Sequence, residues 1–124
     1  MGTSPVPRGV SSPNRGAGLI EPLKAQAESA GVEIITETRA TELITDDSNQ
    51  VTGVKATSSD DEEVVYNAGA VVIASGGFDW NEDLRSEYAE RAEGHTSFAA
   101  VGNEGDGLIM ARDLGAEVIS NGGV

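Results

Sequence analysis

Two stretches of this 124-residue chain set small residues beside a polar group that could meet a ligand. The first is Ala74-Ser75-Gly76-Gly77, which follows the apolar run Val71-Val72-Ile73. A strand that ends in residues without bulk lets another backbone or a ligand come close. In open α/β sheets, ligands bind outside the carboxyl ends of the strands. The plain alternative is a tight turn that needs positive φ, and composition alone favours it. The second stretch is Gly102-Asn103-Glu104-Gly105-Asp106-Gly107, ahead of a predicted helix. Glycines before a helix start can expose amide N–H groups to an oxygen-rich ligand, and a carboxylate there can accept ligand hydroxyls. Here the plain alternative is Asp106 as an N-cap, stabilising without any ligand. The stretch lacks the G-x-G-x-x-G spacing behind a strand, so it is not a dinucleotide fingerprint.

Other chemistry is sparse. There is no Cys, so disulfides and thiolate metal sites are excluded. His95 is the single imidazole, and it lies in a polar loop where a solvated His is the ordinary finding. One His without Cys cannot supply a proton relay with partners, so no catalytic residue is assigned. The acidic clusters Asp46-Asp47 and Asp60-Asp61-Glu62-Glu63 lack the D-x-D-x-D-G loop pattern of a calcium site. They read as solvated hairpin turns, and no metal site is assigned.

The elements that must position these stretches follow from the hydrophobic pattern. Residues 1–17 are rich in Pro, Gly, Ser and Arg without periodicity, and read as a flexible tail or loop. A helix is predicted from Gly18 to Ala30, with Leu19, Leu23, Ala27 and Ala30 on one face, Pro22 in its first turn and Gly31 as its stop. Val32 to Ile35 reads as a strand returning to a parallel sheet. Three short segments, 40–45, 51–57 and 64–66, are joined by acidic turns and read as an antiparallel meander. Val71 to Ala74 reads as a second buried strand. A helix from Asn81 to Arg91 is capped by Asn81, with Leu84 and Tyr88 on one face. Residues 94–105 form a loop, 107–114 a short helix stopped by Gly115, and 117–119 a final strand. The fold class is α/β, with a three-stranded meander inserted between two parallel strands.

Charge bounds the partners. Asp and Glu number 21 and the net charge is −13, with two Lys and six Arg. Phosphate contacts need cations, so nucleic acid is not an expected partner. No apolar run approaches the ~18 residues of a membrane span, and the first residues carry no apolar signal core, so a cytoplasmic location is expected. An ordinary acidic protein would show this balance. So would adaptation to a salt-rich cytoplasm, where screening removes self-repulsion, and that is the reading adopted.

In their order, the segments resemble the flavoprotein family of fumarate reductase, succinate dehydrogenase and 3-ketosteroid dehydrogenase. The match comprises GLIEPLKAQAESAGVEI, TRATELITDDSNQVTGV, AGAVVIASGGFDWN and GNEGDGLIMARDLGA, from about Gly18 to Gly115. The form ASGGFDWN…LRSEY…GNEGDGL looks closer to the ketosteroid-dehydrogenase-like branch. The resemblance implies a Rossmann-like FAD-binding domain with an inserted meander. It implies that Ala40 lies where the strand backbone meets the adenine. It implies that Ala74, Ser75, Gly76 and Gly77 form the turn passing close to FAD. Asp106 matches the GDG aspartate, which contacts FAD on the ribityl–flavin side.

The family begins with a strand, G-x-G-x-x-G and an acidic ribose-binding residue, and nothing of that sort precedes Gly18. The substrate-binding cap is not seen after Gly123 either. The resemblance therefore implies an interior piece, residues 18–124, of a longer oxidoreductase. That enzyme would pass hydride between flavin and a substrate C–C or C=C bond beside a carbonyl or carboxylate. Its partners would be FAD and a small-molecule substrate. The piece alone is expected to be inactive, to bind little FAD, and to be marginally stable or self-associating. The alternative class is a non-catalytic α/β module binding a nucleotide or a protein.

Overall fold

The computed structural model describes residues 12–89, 91 and 94–119. They fall in two compact units, Met1–Thr36 and Glu37–Val124.

In the first unit, residues 13–16 turn into α1, Ala17–Ser29. Residues 1–11 of the predicted tail lie outside the described residues. Pro22 is the sixth residue of α1 and not in its first turn, so the Gly18 carbonyl receives no N–H from it. The helix ends as its Gly31 predicts. Gly31 adopts φ +84°, its N–H bonds to the Glu28 carbonyl, and the Val32 N–H reaches back to Ala27. That pair of bonds is a Schellman closure, which satisfies carbonyls the helix leaves open. No residue of α1 is buried, and Leu19 and Leu23 are exposed. Val32 to Ile35 is not a strand: it has no ladder partner among the described residues, and Val32, Ile34 and Ile35 are exposed.

The second unit contains the meander: β1 (Thr38–Thr45), β2 (Val51–Ser58) and β3 (Glu63–Asn67), antiparallel in the order β1-β2-β3. Its two turns share one construction. In the first, Asp46 accepts the Asn49 N–H on its carbonyl and the Ser48 and Gln50 N–H groups on Oδ1, with Asn49 at φ 64°. In the second, Ser58 accepts the Asp61 N–H on its carbonyl and the Asp60 and Glu62 N–H groups on Oγ, with Asp61 at φ 60°. Each is a type I turn closed by a left-handed residue, and a side-chain oxygen satisfies the turn N–H groups. A carboxylate does this in the first turn and the Ser58 hydroxyl in the second.

Two bulges shape the sheet. Ala40 pairs with Ala56 and Glu42 with Lys55, which leaves Thr41 as the extra residue on β1. Ile44 pairs with Gly53 and Thr45 with Val51, which leaves Thr52 extra on β2. In both cases the threonine Oγ1 donates across the ladder, Thr41 to the Lys55 carbonyl and Thr52 to that of Ile44. An extra residue reverses the alternation of faces. It therefore lets Leu43 be buried while Thr41 and Glu42 are both exposed.

Two short helices follow. The first, α2 (Glu82–Tyr88), is capped by Asn81 as expected but stops short of Arg91, with Ala89 already out of helical geometry at φ −141°. The second, α3 (Asp106–Asp113), packs on β1 and ends at Gly115 in a second Schellman closure, Gly115 N–H to Arg112 and Ala116 N–H to Ala111. Among the described residues the buried apolar ones are few: Leu43, Ala56, Leu84 and Met110.

Val71 to Ala74 is neither buried nor laddered, and Val72 is 88% exposed. Residues 117–119 form no strand either. The pattern marked these segments as apolar and β-branched, but a strand needs a neighbouring backbone to bond. No described segment supplies one. The α/β composition and the meander stand as expected; the parallel strands do not form among the described residues.

Candidate functional site

Residues 74–81 and 102–107, read separately in the sequence, form one clasp. The Gly105 N–H donates to the Gly77 carbonyl at 3.1 Å, and the Trp80 N–H to the Asn103 carbonyl at 3.0 Å. The Asn103 side-chain amide donates to Asp79 Oδ2 at 3.1 Å. Asn81 serves both sides: its Oδ1 accepts the Leu84 N–H to cap α2, and its Nδ2 donates to the Glu104 carbonyl, each at 3.0 Å. A carboxylate could provide the cap but not the donated bond.

Gly76 sits at φ +85°, and a Cβ there would lie 2.6 Å from Asn103 Oδ1. The positive φ expected of a tight turn is present, and a side chain of another segment comes close. The segment that approaches is residue 103 of the same unit.

Ser75 caps α3 from outside the helix. The cap position is held by Gly105, left-handed at φ 83° and without a side chain to cap with. Ser75 Oγ accepts the Gly107 N–H at 3.2 Å, satisfying one of the first amides that a helix leaves unbonded. Gly107 is buried against this contact, and a Cβ there would run into Ser75 Oγ and Ile73 Cγ2. The glycine is what lets the helix start sit on the turn.

Asp106 is the first residue of α3, not its cap, and its carboxylate goes elsewhere. Arg39 Nε donates to Asp106 Oδ2 at 2.9 Å and Arg39 Nη2 to Oδ1 at 2.7 Å, a two-point grip. The same Nη2 donates to Glu104 Oε2 at 2.6 Å. The Arg39 guanidinium is held still more firmly in its charged form, first by its hydrogen bonds to Asp106 and Glu104 and then by their charge. Arg39 precedes Ala40 on β1, and a depression of about 220 Å³ is lined by both, with Asp106, Ile109 and Met110. A second depression, about 420 Å³, is lined by Ala74, Ser75, Gly76, Gly107 and residues 116–119 among others.

The structure thus brings Ala40 and Asp106 to one hollow and Ala74, Ser75 and Gly76 to another. Gly77 lines a third of about 380 Å³ with Phe78, Arg85 and His95. Asp106 and its neighbour Gly107 join the first two. His95 is exposed, and its backbone carbonyl accepts Arg85 Nη2 at 2.8 Å. Among the described residues, no group of three or more His, Asp or Glu is arranged to hold a metal, and no helix is long and apolar enough to cross a membrane.

Arg39, Asn81 as a clasp and Asn103 were not read as site residues from the sequence. Their partners stand 67, 23 and 24 positions away. No local pattern encodes such pairings. The one available signal was a scarce cation beside Ala40 in a chain of 21 acids.

The match to known proteins covers all of this region. Residues 2–123 match a family described as the FAD binding domain. Urocanate reductase from Eggerthella lenta is 38% identical over 109 residues, which is 86% of this chain and 18% of that protein. The 3-ketosteroid-Δ4-(5α)-dehydrogenase of Rhodococcus jostii, solved with 4-androstene-3,17-dione, superposes with a TM-score of 0.76 at 34% identity over 83% of this chain and 22% of that one. A flavocytochrome c3 fumarate reductase in its open conformation gives 0.77 at 26% identity over 90% and 19%. The chain spans about a fifth of the length of these relatives. With the meander, the clasp and its glycines all inside the matched residues, the chain belongs to the FAD-binding-domain family of flavin oxidoreductases, whose cofactor is FAD.

Proposed function

We propose that residues 18–124 are an interior part of the FAD-binding domain of a longer oxidoreductase. The observation that carries this reading is the placement of Ala40 and Asp106 on one hollow and of Ala74, Ser75 and Gly76 on a second, the two linked through the neighbours Asp106 and Gly107 in one unit. The residues suit a flavin nucleotide. Ala74 to Gly77 are small and exposed, so a flat ligand can lie against their backbone. Asp106 has one lone pair of each oxygen engaged by Arg39 and keeps acceptor capacity for ligand hydroxyls. Ser75 takes the Gly107 N–H at the start of α3, so that amide is not open to a phosphate.

FAD would supply the hydride chemistry, and this chain's residues would bind and orient it. The whole enzyme would act on a C–C or C=C bond beside a carbonyl or carboxylate. A 3-ketosteroid-type substrate is preferred over fumarate on the form ASGGFDWN…GNEGDGL.

The reading frame around this chain supplies the test. The full-length protein is expected to purify with a flavin that is identified as FAD after denaturation, and to bleach when a saturated 3-ketosteroid is added without oxygen. Absence of flavin, together with no binding on titration with FAD, would overturn the reading in favour of a non-catalytic module. Bleaching only by a saturated dicarboxylate such as succinate would move the substrate to the fumarate type.

A further inference from the structure

Arg39 stands between the two ends of the proposed cofactor contact. It adjoins Ala40 on β1, and its guanidinium crosses to the start of α3, where Glu104 precedes the Gly105 cap and Asp106 opens the helix. The site lies in a chain of net charge −13. Two adjacent carboxylates there would repel each other and any anionic ligand. Arg39 pairs with both and halves their charge. The geometry is directional as well as electrostatic. Nε and Nη2 each take one oxygen of Asp106, which leaves that carboxylate little freedom to rotate. A lysine ammonium is a single point and cannot reproduce this.

Resting on the FAD reading above, we infer that Arg39 is a positioning residue for the cofactor. It orients the Asp106 carboxylate and lowers the negative charge around it, so that the free lone pairs are held for ligand hydroxyls. It does not need to touch FAD. A mere tie between β1 and α3 would share the same hydrogen bonds, but its loss would lower stability and leave the FAD affinity of the folded protein unchanged.

The test uses the apoprotein of the full-length flavoprotein. FAD affinity is measured by fluorescence titration for the wild type, Arg39→Gln, Arg39→Lys, Asp106→Asn and the double variant Arg39→Gln/Asp106→Asn. Visible circular dichroism of the bound flavin and melting temperature are recorded for each. Loss of the oriented, charge-assisted contact is expected to weaken FAD about tenfold in Arg39→Gln and in Asp106→Asn. The double variant is expected to be no weaker than Asp106→Asn, because Arg39 acts through that carboxylate. Arg39→Lys restores charge but not the fork, so it should stay closer to Arg39→Gln than to the wild type. The dichroism of the flavin should change alike in both single variants. Effects that multiply in the double variant would overturn the inference. So would an Arg39→Gln protein that melts earlier but binds FAD as the wild type does. A wild type that binds no FAD would instead refute the flavin reading itself.

Discussion

Arg39 and Asp106, 67 residues apart, are joined by two hydrogen bonds of 2.9 and 2.7 Å. The link ties the edge strand of the meander to the helix that follows the GNEG loop. Its side chains are 60% and 29% exposed, so water and salt screen it strongly. Replacing Arg39 by Ala should therefore cost only about 0.5–1 kcal/mol of stability at low salt. The cost should shrink towards zero in 1 M KCl. Urea melts of the two proteins at both ionic strengths check this, and a loss well above that range at high salt would mean the arginine stem packs more than it pairs.

Ser75 and Gly107 should both be sensitive to small changes, for different reasons. Ser75→Ala removes the oxygen that accepts the Gly107 N–H and should destabilise by about 1 kcal/mol, as loss of a helix cap does. Ser75→Thr keeps the hydroxyl and should cost less. Gly107→Ala places a methyl against Ser75 and Ile73 and should cost about 1–3 kcal/mol by overpacking. If thermal unfolding ranked Ser75→Ala above Gly107→Ala, the clasp would be looser than described.

The second hairpin turn offers a stabilising change. Asp61 occupies left-handed backbone at φ 60°, where Gly carries no steric cost. Asp61→Gly should raise stability by a few tenths of a kcal/mol or more. Ser58→Ala, in contrast, removes the oxygen that satisfies the Asp60 and Glu62 amides, and should lower it by about 0.5–1 kcal/mol. Denaturant midpoints at constant slope decide both.

Salt should stabilise the chain as a whole even as it weakens single ion pairs. With a net charge of −13, self-repulsion at low ionic strength opposes the compact state. The melting temperature should rise between low and molar KCl, and an unchanged value would remove the case for adaptation to salt. The chain taken alone should also be marginally stable or self-associate, because among the described residues only four apolar side chains are buried while Val72, Phe98 and Ile119 are at least 83% exposed. Equilibrium sedimentation showing a monomer with a high melting temperature would contradict that.

Much was legible from the sequence, for reasons that are local. The helix stops at Gly31 and Gly115, the Asn81 cap and the meander with its two acidic turns are set by residues within a few positions of one another. Propensity, periodicity and turn chemistry act over that range. The order of four motifs was enough to indicate the FAD-binding family. What only the tertiary structure decided is non-local. Val71 to Ala74 carries the residues of a strand but lies exposed, because strand formation depends on a partner backbone and no residue type can provide one. Asp106, suited to cap its own helix, faces Arg39 instead, and the cap falls to Ser75 from another segment. Sequence determines which groups are available. Which of them meet is decided by chain packing, since a hydrogen bond across 32 or 67 residues leaves no periodic trace in the chain.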